Sequence, residues 1–64
     1  MTPEQYRAAR KYLGDTQEQL AARLGVTRKT INSREAGTAP ITLESVIAIH
    51  AIIDQEKNNT RNGK

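Results

Sequence analysis

The tripeptide Gly25-Val26-Thr27 constrains this chain more than any other feature. It separates two helically patterned segments by too few residues for anything except a tight reversal. Glycine reaches positive φ at little cost, and threonine is a strong helix N-cap. Upstream, Asp15 and Thr16 both have cap chemistry, with Glu18 and Gln19 three residues on. Leu20, Ala21 and Leu24 then form an apolar stripe. Ala21 stands four residues before the glycine, where a larger side chain would push two helices apart. Downstream, residues 28–35 can run as a helix with one strongly buried candidate, Ile31. The other positions include Arg28, Lys29, Thr30, Asn32, Ser33 and Arg34, nearly all hydrogen-bond donors. Leu20, Leu24, Val26 and Ile31 supply a wedge of core between two short helices.

The flanks read as further helices. Thr2, Pro3 and Gln5 make a capping box with proline at the first helical position, and Tyr6, Ala9 and Leu13 share one face up to Gly14. Residues 36–40 are a loop by their glycine and proline. Thr42 caps a last helix expected to end at about Gln55. Its apolar residues cover most of the circumference, which predicts burial on more than one side. Residues 1–56 are read as one domain and residues 57–64, polar throughout, as a flexible tail. No strand pattern and no internal repeat is present.

Composition limits the chemistry. Sixty-four residues without cysteine can form one small domain with neither disulfides nor a thiolate metal site. One histidine and no clustered nucleophile leave no catalytic constellation, metal site or cofactor site to propose. A core this small leaves little room for a small-molecule substrate pocket. The longest apolar stretch is far below the ~20 residues of a membrane span, and the N-terminus has no signal-peptide core. A soluble, cytoplasmic chain is expected, with no membrane partner. Net charge is +3, distributed as +1 over residues 1–25, +2 over 26–39, −3 over 40–56 and +3 over 57–64. The middle of the chain and the tail can meet a polyanion, and the acidic segment between them faces elsewhere.

Residues 16–37, TQEQLAARLGVTRKTINSREAG, resemble the phage repressor/Cro-like family, also called XRE-type regulators, over the family's whole signature. The likeness extends more weakly to the first helix and to residues 40–53. It implies an all-α, lambda-repressor-like helix-turn-helix domain of four to five short helices, with the motif at residues 16–35. It also implies double-stranded DNA as partner, with the second helix of the motif in a major groove. Arg28, Lys29, Asn32 and Ser33 are then the base-reading candidates. Gln17, Thr27, Thr30 and Arg34 are the phosphate candidates, Gln17 by standing at a helix N-terminus. Arg10 and Glu35 stand where the family carries a structural ion pair. Two positions depart from the pattern. Arg34 replaces an apolar or aromatic residue, and the loop at residues 38–41 carries no base.

The surplus apolar surface of the last helix predicts a homodimer, with Ile41, Ile49, Ile52 and Ile53 as candidate twin contacts. Such a dimer would act on a palindromic operator, with repression as the default outcome. Two alternatives share the scaffold: an antitoxin- or adaptor-like protein-interaction module, and an architectural or excision accessory DNA-binding protein.

Overall fold

A computed structural model describes residues 1–62, with side chains through residue 57. The helices are α1 (Pro3–Leu13), α2 (Gln17–Leu24), α3 (Arg28–Ala36) and α4 (Leu43–Asn62), and no strand occurs among the described residues. Among the described residues the fold is all-α with four helices, and α4 runs unbroken to Asn62 with no break that would make a fifth.

Local chemistry sets the boundaries. Thr2 accepts from the Gln5 backbone N–H while the Gln5 side chain accepts from the Thr2 N–H. Thr16 and Gln19 repeat this reciprocal box at α2. Each box satisfies two N–H groups that a helix start otherwise leaves open. Thr27 accepts from the Thr30 N–H at α3, and Thr42 accepts from the Ser45 N–H at α4. The first three helices end on left-handed glycines. At Gly25 φ is 72°, and a Cβ there would meet nothing within 4 Å. Backbone conformation alone, not crowding, therefore requires glycine at the turn.

The core takes side chains from every helix: Tyr6, Leu20, Ala21, Ile31 and Ile49. Ala9, Leu13, Leu24, Val26 and Ile41 pack around it half-buried. At ~0.05–0.15 kcal/mol per residue, a domain of this size has ~3–10 kcal/mol of stability. One broken interaction of a few kcal/mol is therefore a large fraction of the total.

Two expectations about α4 need correction. Ile49 is completely buried in the core of its own chain and has no surface to offer a twin. Ile41, Ile52 and Ile53 are half-buried, whereas Leu43 and Ile47 are 74% and 60% exposed. A helix apolar nearly all round does not reveal its rotation from its own sequence, and packing against α1 and α2 selected Ile49 for the inside. The end near Gln55 is also corrected. No glycine or proline interrupts the chain before Gly63, and extending an existing helix costs little per residue. The boundary expected after residue 56 thus falls inside α4, and residues 63–64 of the expected tail lie outside the described residues. His50 and Tyr12 are both exposed. Among the described residues, no helix is long and apolar enough to cross a membrane.

Candidate nucleic-acid interface

α3 lays Ile31 against the core and turns its other side outward. At ~100° per residue, Arg28, Asn32, Lys29 and Ser33 fall on one side of the cylinder. Arg28, Lys29 and Asn32 are exposed, and Ser33 is half-buried at the edge. The charge at the start of this helix is unusual. α1 and α2 each carry a glutamate in the first turn, where it complements the positive end of the helix dipole. α3 has no acid there and instead starts with Arg28-Lys29. Two cations on a positive helix end raise the local potential without helping the helix. The arrangement suits an external anion.

Thr27 and Thr30 flank this end. Their hydroxyls lie 3.0 Å apart, and the Thr27 hydroxyl also accepts from the Thr30 N–H. Thr27 is exposed and Thr30 half-buried.

Arg34 is placed differently from the phosphate role expected of it. It lies roughly 170° around α3 from the centre of the exposed face at helical spacing. Its guanidinium donates to the Tyr6 hydroxyl at 3.0 Å and sits 5.8 Å from the centre of the Tyr6 ring. The cation covers the aromatic as an apolar residue would, and its charge is engaged by ring and hydroxyl. Arg34 faces the inside of the molecule, away from Arg28 and Asn32.

Behind the exposed face, three helices are tied by a polar network. Arg10 of α1 donates from Nε and Nη2 to the two Glu35 oxygens at 2.7 and 3.1 Å, and from Nη1 to the Asp15 carbonyl at 2.9 Å. The two side chains are only 13% and 7% exposed. Burial alone would raise the Glu35 pKa. Hydrogen bonds from Arg10 and Gln17, with the charges of Arg10 and Arg7, overcome this and hold it below the usual carboxylate range. The Glu35 hydrogen bond raises the Arg10 pKa in turn. Gln17, the first residue of α2, uses its Nε2 for two donations, to Glu35 Oε1 at 3.1 Å and to Asn32 Oδ1 at 3.4 Å. One N–H of this amide is held by the part-buried Glu35 and the other makes a long, exposed contact with Asn32. The side chain expected at a phosphate is thus turned toward α3. Its backbone N–H, first in the helix, has no intrahelical acceptor.

A second network has no counterpart in the sequence reading. Arg23 lies 2.8 Å from the nearly buried Asp15 carboxylate and 3.2 Å from Glu56 of α4. It joins the α1–α2 corner to the far half of α4. Asp15 reads locally as a cap competing with Thr16. Only after Thr16 takes the cap is its carboxylate free to face Arg23 two turns along α2.

Among the described residues, no group of three histidine, cysteine or carboxylate side chains is arranged to hold a metal ion. The site is thus a short helix with a cationic start and amide-bearing outer face, braced from behind by α1 and α2. That geometry defines a helix-turn-helix domain with a presented second helix. A family model described as helix-turn-helix matches residues 7–55. The chain belongs to this family of XRE-type, Cro/C1-like domains, in which DNA binding in transcriptional regulation, rather than catalysis, is the typical role. No curated protein and no solved structure matches the chain.

Proposed function

We propose that this protein is a sequence-specific double-stranded DNA-binding transcriptional repressor. α3 enters the major groove. Arg28, Lys29, Asn32 and Ser33 read base edges, while the backbone N–H of Gln17 and the hydroxyls of Thr27 and Thr30 meet phosphates. The observation that carries this reading is the first turn of α3, where two exposed cations stand on a positive helix end with no acid to balance them.

The protein acts as a homodimer on a palindromic operator. With Ile49 inside the core, the twin contact passes to the exposed pair Leu43 and Ile47 on α4. Burying two large aliphatic side chains from each copy gives the contact its driving force. A two-fold axis would set the two α3 helices about 34 Å apart, one turn of DNA. The second half-site contact then becomes intramolecular, which compensates for the small footprint of one motif. Bound over a promoter, the dimer represses by excluding polymerase.

Selection from a random duplex pool tests the reading. The wild type should enrich a two-fold symmetric sequence. Arg28→Ala should lose ~1–3 kcal/mol of affinity and relax preference at one base pair per half-site. Equal weakening on all sequences would make Arg28 a phosphate contact. Failure to enrich any sequence would remove the proposal of specific binding.

A further inference from the structure

Between α1 and α4 lies an open groove that the DNA-binding role leaves unused. It has a volume of about 440 Å³ and is lined by Gln5, Ala8, Ala9, Tyr12, Ile53 and Lys57. That is room enough for a large side chain, and Tyr12 on its edge is itself 62% exposed.

The outer side of α1 is complementary to a second copy of itself. At ~100° per residue, Glu4, Gln5, Ala8, Lys11 and Tyr12 form one outward face, and all five are exposed. Ala8 stands near the centre. Two such faces crossed antiparallel at Ala8 approach closely, because the side chains at the crossing set the distance between helices. Residue 4 then stands opposite residue 12 of the twin, and residue 5 opposite residue 11. Lys11 comes within one residue, ~1.5 Å of rise, of the twin's Glu4, and the pair forms twice about the axis. A parallel crossing would instead set Glu4 on Glu4 and Lys11 on Lys11, and repulsion rejects it. On the other flank, Tyr12 enters the twin's groove beside Gln5, toward Ala9 and Ile53.

The two-fold axis of this pair runs normal to the plane of the two helices, so each flank stays on its own side of that plane. Arg7 lines a cleft with Gln17 and Asn32 at the DNA-facing side, and it lies next to the Glu4–Lys11 flank in both copies. Both α3 helices therefore turn toward one duplex. On α4, Ile53 lies ~120° around from Ile47, so this contact is separate from the Leu43–Ile47 pair. We propose that the outer face of α1, with the α1–α4 groove, is a second self-complementary surface that joins neighbouring dimers side by side on DNA. Each chain then carries two isologous surfaces, and alternating them builds a row. The contact is small and weak in free solution. It gains force on DNA, where a shared duplex holds neighbours at high effective concentration.

The inference rests on the DNA-bound dimer, but its first test needs no DNA. The chain has no cysteine, so an introduced one can cross-link only to its own copy. Ala8→Cys sets the two thiols across the axis, within reach of a disulfide. Under mild oxidation it should form covalent dimer several-fold faster than Ala22→Cys, whose thiol is exposed on α2. Adding Glu4→Lys or Lys11→Glu should slow the cross-linking several-fold. The double exchange should restore it, which a merely structural effect of either substitution would not do, and thermal melts check that each variant folds. Equal rates at positions 8 and 22 overturn the inference, as does a double exchange no faster than the single variants. The wild type and the three charge variants, without the cysteine, are then titrated on a duplex long enough for several dimers and on one that holds a single dimer. The wild type and the double exchange should bind the long duplex about tenfold more tightly per site, and the single variants equally on both. Equal wild-type affinity per site on the two duplexes overturns the proposed row. Binding to neither duplex refutes the DNA-reading role of α3 instead, and the cross-linking rates then decide whether the α1 contact stands.

Discussion

Arg10→Met is expected to destabilise the domain by ~3–5 kcal/mol, because it strands a buried carboxylate rather than merely deleting a contact. Glu35 is 7% exposed, and Gln17 would be the one side chain still donating to it. The Asp15 carbonyl would also lose its guanidinium partner. If the domain lies at the lower end of the ~3–10 kcal/mol range, the variant is partly unfolded at room temperature. Its melting temperature should fall by more than ~10 °C, since 1 kcal/mol shifts a domain this size by ~4–8 °C. The effect should depend on pH with a definite sign. In the wild type the Glu35 pKa is depressed, so its stabilising contribution is full above the unfolded carboxylate pKa and is lost as pH falls through the lower folded value. In the variant the desolvation of Glu35 has no opposing cation at Arg10, and its pKa rises. Acid then neutralises the stranded group, so the deficit is largest near neutral pH and shrinks as pH falls, first through the raised Glu35 pKa of the variant and then through the lowered one of the wild type. Melts of both proteins across this range check the prediction. Equal melting temperatures at pH 7 would remove the ion pair from the account of stability.

Salt should weaken duplex binding far more than any single substitution. Each phosphate neutralised by a protein cation releases condensed counterions, and log K falls with log salt at about −0.9 per contact. On random duplex DNA, which offers no base pattern to read, Arg28 and Lys29 meet phosphates instead, and the exposed Arg7, which lines a cleft with Gln17 and Asn32, brings a dimer to about six contacts. Between ~50 and ~200 mM salt the affinity should then fall about 10³-fold. Titration of random duplex DNA across this range measures the slope. No binding at the lower salt would favour the adaptor-like alternative, in which the scaffold meets protein. A steep slope without base preference would favour an architectural role, because counterion release carries no sequence information. Arg34 does not weigh toward the adaptor. Its departure from the family pattern is explained by its place over Tyr6.

What the sequence revealed and what it concealed divide by the range of the interactions. Thr2, Thr16, Thr27 and Thr42 could be placed as caps because a cap needs only residues within one turn. Gly14 and Gly25 were equally legible, since a left-handed end is a local demand, whereas Gly37 read only as part of a loop and proves to be the left-handed end of α3. Arg10 and Glu35 lie 25 positions apart, and only resemblance to a family pointed to their pairing; the geometry supplies the pair itself. Arg34 and Tyr6 lie 28 apart with no such guide, and α3 alone presents Arg34 as one more cation on a polar helix. Ile49 could not be separated from Leu43 and Ile47 because a nearly uniform apolar helix has no preferred rotation until α1 and α2 choose one. The two donations from Gln17 illustrate the same limit at the site. Its place at the start of α2 suggested a phosphate, and only tertiary placement shows its amide turned toward Glu35 and Asn32.

The central claim is that the outer face of α3 is the surface that meets DNA. Residue-resolved NMR shifts, followed as a duplex is titrated into labelled protein, test it directly. The account predicts the largest changes at Arg28, Lys29, Asn32 and Ser33, with the backbone amide of Gln17 joining them, and little change at Tyr6 or Ile49. Perturbation concentrated on Leu43 and Ile47, with Arg28, Lys29 and Asn32 silent, would contradict it.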